Sequence, residues 1–139
     1  MEPIIFTYTV DGDDFSSAGE ASSAVKKALK QLGFSPDVVR RVAIAMYEAE
    51  INMVIHAEGG EITVEVSEKQ IRIVLADRGP GIKDIDLAMQ EGYSTAPEEV
   101  RNLGFGAGMG LPNIKKYSDD LKIESELGVG TTLTILINT

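Results

Sequence analysis

Glu48 and Asn52 stand four positions apart in a stretch that reads as helix, so their side chains project from one face about one turn apart. A carboxylate and an amide oxygen so placed suit a hard cation such as Mg²⁺, or a base working beside one. A solvated pair on an amphipathic helix would show the same spacing. Glu50 lies well round the helix from Glu48 and has no such partner. Asp77 closes an apolar segment and is followed by Gly79 and Gly81, so the chain can turn sharply and approach a flat ligand there. Its carboxylate could accept a hydrogen bond from an exocyclic amine such as that of adenine, although Asp-x-Gly-x-Gly is also a good plain turn. Gly104, Gly106, Gly108 and Gly110 alternate through a segment that adds little to a core and loses much conformational entropy on ordering. This segment runs into a helix starting at Leu111, and amides at a glycine-rich helix start form an anion site suited to phosphates. Lys115 and Lys116 could add charge there, and a flexible linker is the competing interpretation. Gly128-Val129-Gly130-Thr131 is by itself a plain glycine hairpin.

The elements that must position these residues follow from periodicity. Ile4 to Val10 reads as a strand, and from Phe15 the pattern turns helical, with Ala18, Ala21, Val25, Ala28, Leu29 and Leu32 on one face and Gly33 as terminator. Ser35-Pro36 starts a second helix running to about Ala57, striped by Val39, Val42, Ala43, Met46, Ala49 and Met53. His56 ends it as a capping or packing residue, and Gly59-Gly60 breaks it. Ile62/Val64/Val66 and Ile71/Ile73/Leu75 alternate around Ser67 to Gln70 and read as an antiparallel hairpin. A short helical piece is expected around Asp84 to Gln90 within a long irregular stretch reaching Phe105, the sort of segment that often serves as a functional loop or lid. Leu111 to Ser118 reads as helix, and Leu121 to Leu127 and Thr132 to Asn138 as strands. Hairpins among alternating strands and helices predict an α+β sandwich, a mixed and mostly antiparallel sheet with helices on one face.

With 139 residues, 43% of them hydrophobic, the chain is expected to form one domain spanning 1–139. Lacking cysteine and having one histidine, it offers no thiolate chemistry, no histidine-rich metal site and no usual nucleophile–histidine pair. A formal charge of −9 opposes general binding to nucleic acid or anionic membrane. The absence of a signal peptide and of a long apolar run predicts a cytoplasmic protein. Lys26, Lys27, Lys30, Arg40 and Arg41 read as a solvated face, though a patch there would suit an acidic partner.

In chain order, Glu48-Ala-Glu-Ile-Asn52, Asp77-Arg-Gly-Pro-Gly81, Gly104 to Gly110 and Gly128-Val-Gly-Thr131 resemble the N, G1, G2 and G3 boxes of the GHKL superfamily, which includes gyrase, histidine kinases and MutL. Their joint order is far more specific than any single box. The short length, Glu91-Gly-Tyr-Ser-Thr95 and Gly106-Ala-Gly-Met-Gly-Leu-Pro112 look like the bacterial anti-sigma-factor serine kinases, with the RsbT-like switch kinases closest and RsbW and SpoIIAB as relatives. The resemblance implies a Bergerat fold, ATP with Mg²⁺, and phosphoryl transfer to serine or threonine on a STAS-domain anti-sigma-factor antagonist. A sigma factor or a phosphatase would be a further partner, and a homodimer is compatible with it. By position, Glu48 would be the general base, Asn52 the Mg²⁺ ligand and Asp77 the adenine reader, with Gly79, Gly81 and Thr131 completing the pocket. Gly104, Gly106, Gly108, Gly110 and Leu111, with Lys115, would surround the phosphates. The extra glycine in Gly108-Met109-Gly110-Leu111-Pro112, compared with the Gly-Ala-Gly-Leu-Pro of the RsbT-like group, leaves the lid register open by a residue or two. The alternative is a nucleotide-gated binding module that sequesters a sigma factor or activates a phosphatase without catalysis; a detached histidine-kinase catalytic domain is a third.

Overall fold

In the computed structural model, which describes residues 3–11, 19–56, 59–78, 110–126 and 128–139, strands form where apolar and polar residues alternate and helices where they recur every third or fourth position. The order is β1 (Ile4–Asp11), α1 (Glu20–Gln31), α2 (Pro36–His56), β2 (Gly59–Val66), β3 (Gln70–Asp77), α3 (Gly110–Tyr117), β4 (Asp120–Glu126) and β5 (Gly130–Asn138). The expected helical piece at 84–90 and the glycines at 79, 81, 104, 106 and 108 lie outside the described residues.

The strands form one sheet in the order β1-β2-β3-β5-β4. All of its described pairings are antiparallel. Ile62, Val64 and Val66 of β2, Ile71, Ile73 and Leu75 of β3, and Leu133, Ile135 and Ile137 of β5 are buried on one face. The alternate positions are half-buried or, as at Glu61, Arg72 and Asn138, exposed. Burying one face and wetting the other fixes the register, because a slip of one residue would turn every apolar side chain outward.

The buried face is covered by α2, which contributes Val42, Ala45, Met46, Ala49 and Met53. Both α1 and α3 flank α2, adding Val25 and Leu29 from one side and Ile114 from the other. Side chains of this size recover about 1.5–3 kcal/mol each on full burial, so this single interface dominates the stability of the domain.

Helix ends are set locally. Gly33, at φ 86°, ends α1 while its N–H reaches Lys30 O and that of Phe34 reaches Leu29 O, the paired bonds of a Schellman ending. Ser35 Oγ accepts from Val38 N at 3.3 Å and caps α2 as expected. The start of α1 differs from expectation. It begins at Glu20 behind a left-handed Gly19, and its N-terminal amides are capped from another helix. Glu50, 2% exposed, accepts from Gly19 N at 2.8 Å, Ala21 N at 3.4 Å, and Ser22 N and Oγ at 2.9 and 2.7 Å. The reading of Glu50 as partnerless is thereby corrected: its acceptors' partners lie 28 to 31 residues back in the chain, beyond any helical spacing rule.

Arg41 is likewise not a solvated cation. Its Nη2 bonds Asp119 Oδ2 at 2.7 Å and its Nε donates to Tyr117 O at 3.3 Å, tying the end of α3 to α2. Asp119 also accepts from Asn138 N at 2.6 Å. That backbone bond first, and Arg41 second, hold its carboxyl below the usual range. Among the described residues no helix is long and apolar enough to cross a membrane.

Candidate functional site

Asp77 is the last residue of β3, an inner strand, and the sheet is shaped to receive it. Across the pairing its neighbours are Gly60 on β2 and, on the other side, the start of β5. A Cβ at Gly60 would lie 2.1 Å from Ala76 O and 2.7 Å from Asp77 Cα, and one at Gly130 would lie 2.2 Å from Asp77 O. Both flanking strands thus need glycine for β3 to end where it does. Asp77 Oδ1 accepts from Thr131 N at 2.8 Å, which fixes the carboxylate at the sheet end. Thr131, 6% exposed, is held in turn by Ser125, hydroxyl to hydroxyl at 2.9 Å. A carboxylate offers about four acceptor sites, so engaging an exocyclic amine does not require losing the Thr131 bond.

Glu48 and Asn52 lie on α2, both half-buried. Burial pushes the Glu48 carboxyl above its ordinary range, and a hydrogen bond from the side chain of Asn113 pulls it partly back. Asn113 stands in the first half of α3, the helix whose far end Arg41 ties to α2. A carboxyl displaced upward and held by one amide has the character of a candidate proton acceptor. Asn52, one turn on, presents an amide that could ligate Mg²⁺. That ion commonly takes one or two protein oxygens and completes its shell with phosphate and water, and no cluster of three or more acidic or histidine ligands occurs among the described residues.

Gly110 and Leu111 open α3 with their backbone amides in its first turn, where an N-terminal dipole favours anions. Lys115 and Lys116 are exposed in its last turn, about 7.5 Å further along the axis, where they complement the carbonyl end of the helix. Glu48, Asn52, Asp77, Gly110, Leu111 and Thr131 therefore occupy described positions on α2, β3, α3 and β5. Asn113, Gly60 and Ser125 were missed by sequence reasoning. Asn113, two residues beyond Leu111, is the one with a local signal, a polar side chain following a glycine-rich helix start.

Helices on one face of an antiparallel sheet, with one carboxylate at the sheet end between glycines and another on the central helix, define a two-layer sandwich of the Bergerat class. The model of the histidine kinase-like ATPase domain family matches residues 13–137, and the chain belongs to that family. It is 32% identical to the serine/threonine-protein kinase RsbT of Bacillus subtilis over 112 residues, covering 78% of each chain. It is 34% identical to an anti-sigma F factor of Clostridium beijerinckii, covering 83% of this chain and 81% of the relative. Among solved structures, that of the RsbU and RsbW domains of Rv1364c from Mycobacterium tuberculosis matches with a TM-score of 0.63 at 18% identity, over 96% of this chain and 32% of that one. That likeness carries the fold.

Proposed function

We propose that the chain is an ATP-dependent protein serine/threonine kinase of a partner-switching pathway, acting on a hydroxyl of a STAS-domain antagonist. The observation that carries this is Glu48: a half-buried carboxyl raised above its normal range, restrained by Asn113, one helical turn from Asn52. In this reading Glu48 accepts the proton of the substrate serine or threonine. Asn52 holds Mg²⁺ through its amide oxygen. Asp77 accepts from the adenine amine, oriented by Thr131, with Gly79 and Gly81 against the ring. Amides from Gly104, Gly106, Gly108, Gly110 and Leu111 bind the phosphates. Bound Mg²⁺ would neutralise phosphate charge, and the rest of the task is positioning, since phosphoryl transfer needs little covalent help from protein. The names of the relatives favour one second reading, because anti-sigma F factors are named for what they bind: a nucleotide-gated binding module needs Asn52 and Asp77 but not Glu48.

The test is phosphotransfer from Mg-ATP to a candidate STAS-domain protein, with nucleotide affinity measured in parallel. Phosphoserine or phosphothreonine should form, and Glu48→Gln should slow transfer by roughly 100-fold or more while ATP binding persists. Transfer undiminished in Glu48→Gln would remove the base, and no transfer with intact nucleotide-dependent partner binding would establish the binding module instead.

A further inference from the structure

Between the C-terminal half of α1 and the N-terminal half of α2 lies a cavity of about 430 Å³ that the nucleotide site does not use. Phe34, Val39 and Ile44 give it an apolar lining, and Lys26, Lys30 and Arg40 line it with cations. Phe34 is placed there by the Schellman ending of α1, which turns the chain back over Leu29. It and Ile44 remain half-buried, and the three cations are exposed. Arg40 is partly offset by Asp37 at 3.3 Å, whereas Lys26 and Lys30 have no acidic partner among the described residues.

The charge is out of keeping with the rest of the molecule. The chain carries −9 overall, yet α1 has Lys26, Lys27 and Lys30 against Glu20 alone. Lys26 and Lys30 are four apart, a like-charge spacing that destabilises a helix. At physiological salt a Debye length of about 8 Å confines what a ligand senses to its own neighbourhood, so this face is locally cationic despite the net charge. The α2 wall from Pro36 to Ile44 measures about 12 Å, two turns of helix. An apolar floor of that length between cations matches an amphipathic helix with apolar residues on one face and carboxylates along its flanks.

We propose that this cavity is a recognition surface separate from the nucleotide site, seating an acidic amphipathic helix of a partner protein. Aliphatic side chains enter beside Phe34, Val39 and Ile44, and carboxylates pair with Lys26, Lys30 and Arg40. The proposal does not rest on kinase activity.

The probe is a fluorescein-labelled Leu/Glu/Ala helix with leucines at i, i+3, i+4 and i+7 and glutamates beside them, compared with its lysine-for-glutamate counterpart by anisotropy against the whole chain. The acidic peptide should bind at least tenfold more tightly than the basic one, weaken as salt rises, and shift the amide resonances of Phe34 and Ile44. Lys26→Glu with Lys30→Glu should abolish that preference; both positions are exposed, and unchanged ATP affinity verifies the fold. Equal binding of the two peptides, no effect of the double variant, or resonance shifts confined to α3 and β5 would overturn the proposal. So would self-association of the chain that the double variant removes, which would make the surface a contact between copies.

Discussion

Two effects act on Glu48 in opposite senses, burial raising its pKa and Asn113 lowering it. A base held above the ordinary glutamate range becomes competent only as pH rises through that raised value, so the acid limb of the phosphotransfer rate should lie above the pH of a free glutamate. Asn113→Leu removes the opposing bond while keeping the site dry, and the limb should move further up; a pH–rate profile with an unmoved limb would break the link between Asn113 and the base. The stability sign follows. With the folded pKa above the unfolded one, this group favours folding below the unfolded value and loses that contribution as pH rises through the folded value. Gly130→Ala is the matching test at Asp77. Its Cβ would meet Asp77 O at 2.2 Å, so β3 and β5 must separate, and nucleotide affinity by calorimetry should fall roughly tenfold or more with Glu48 chemistry untouched. Glu48, Asn52, Asp77 and Thr131 were legible as candidates because each stands in or beside a recognisable glycine or helical pattern. Gly60, Ser125 and Asn113 were not, because each acts through a neighbour that only strand register or helix packing supplies.

Elements hold these residues through polar ties that cross long stretches of chain. Glu50 is the main one, a buried carboxylate from α2 closing the N-terminus of α1 where no side chain of α1 itself can. Three backbone amides and one hydroxyl depend on it. Glu50→Ala should therefore cost about 3 kcal/mol in denaturant unfolding, since it leaves buried donors without an acceptor. Glu50→Gln should recover part of that but not all, because its NH₂ faces donors; a neutral Ala variant would show that water replaces the carboxylate. Arg41 and Asp119 do the same for the far end of α3. The spans of α2, β3 and β5 were legible to within two residues of each end, since long runs of alternating or three-and-four spacing leave little choice; β2 starts three residues before Ile62, taking in the two glycines read as a helix break. The start of α1 was misjudged because apolar periodicity continues past Gly19, while the actual boundary is a left-handed glycine capped from elsewhere.

For the molecule as a whole, hairpin signals correctly separated an open antiparallel sheet from a doubly wound one, but nothing in the sequence orders β5 between β3 and β4. That order has a temporal consequence. While the chain emerges from a ribosome, β1, β2 and β3 can pair as soon as Asp77 is out, and β4, when it follows, has no described partner but β5. Asp77 meets Thr131 only once β5 has threaded between its neighbours. A nascent chain stalled at β4 presents the open edge of β3, a template for stray pairing and a target for chaperones, and lacks the Asp77–Thr131 bond. The Asp77–Thr131 end of the sheet is thus completed only after β5 has been made and paired, so a ligand that needs it cannot assist folding before then.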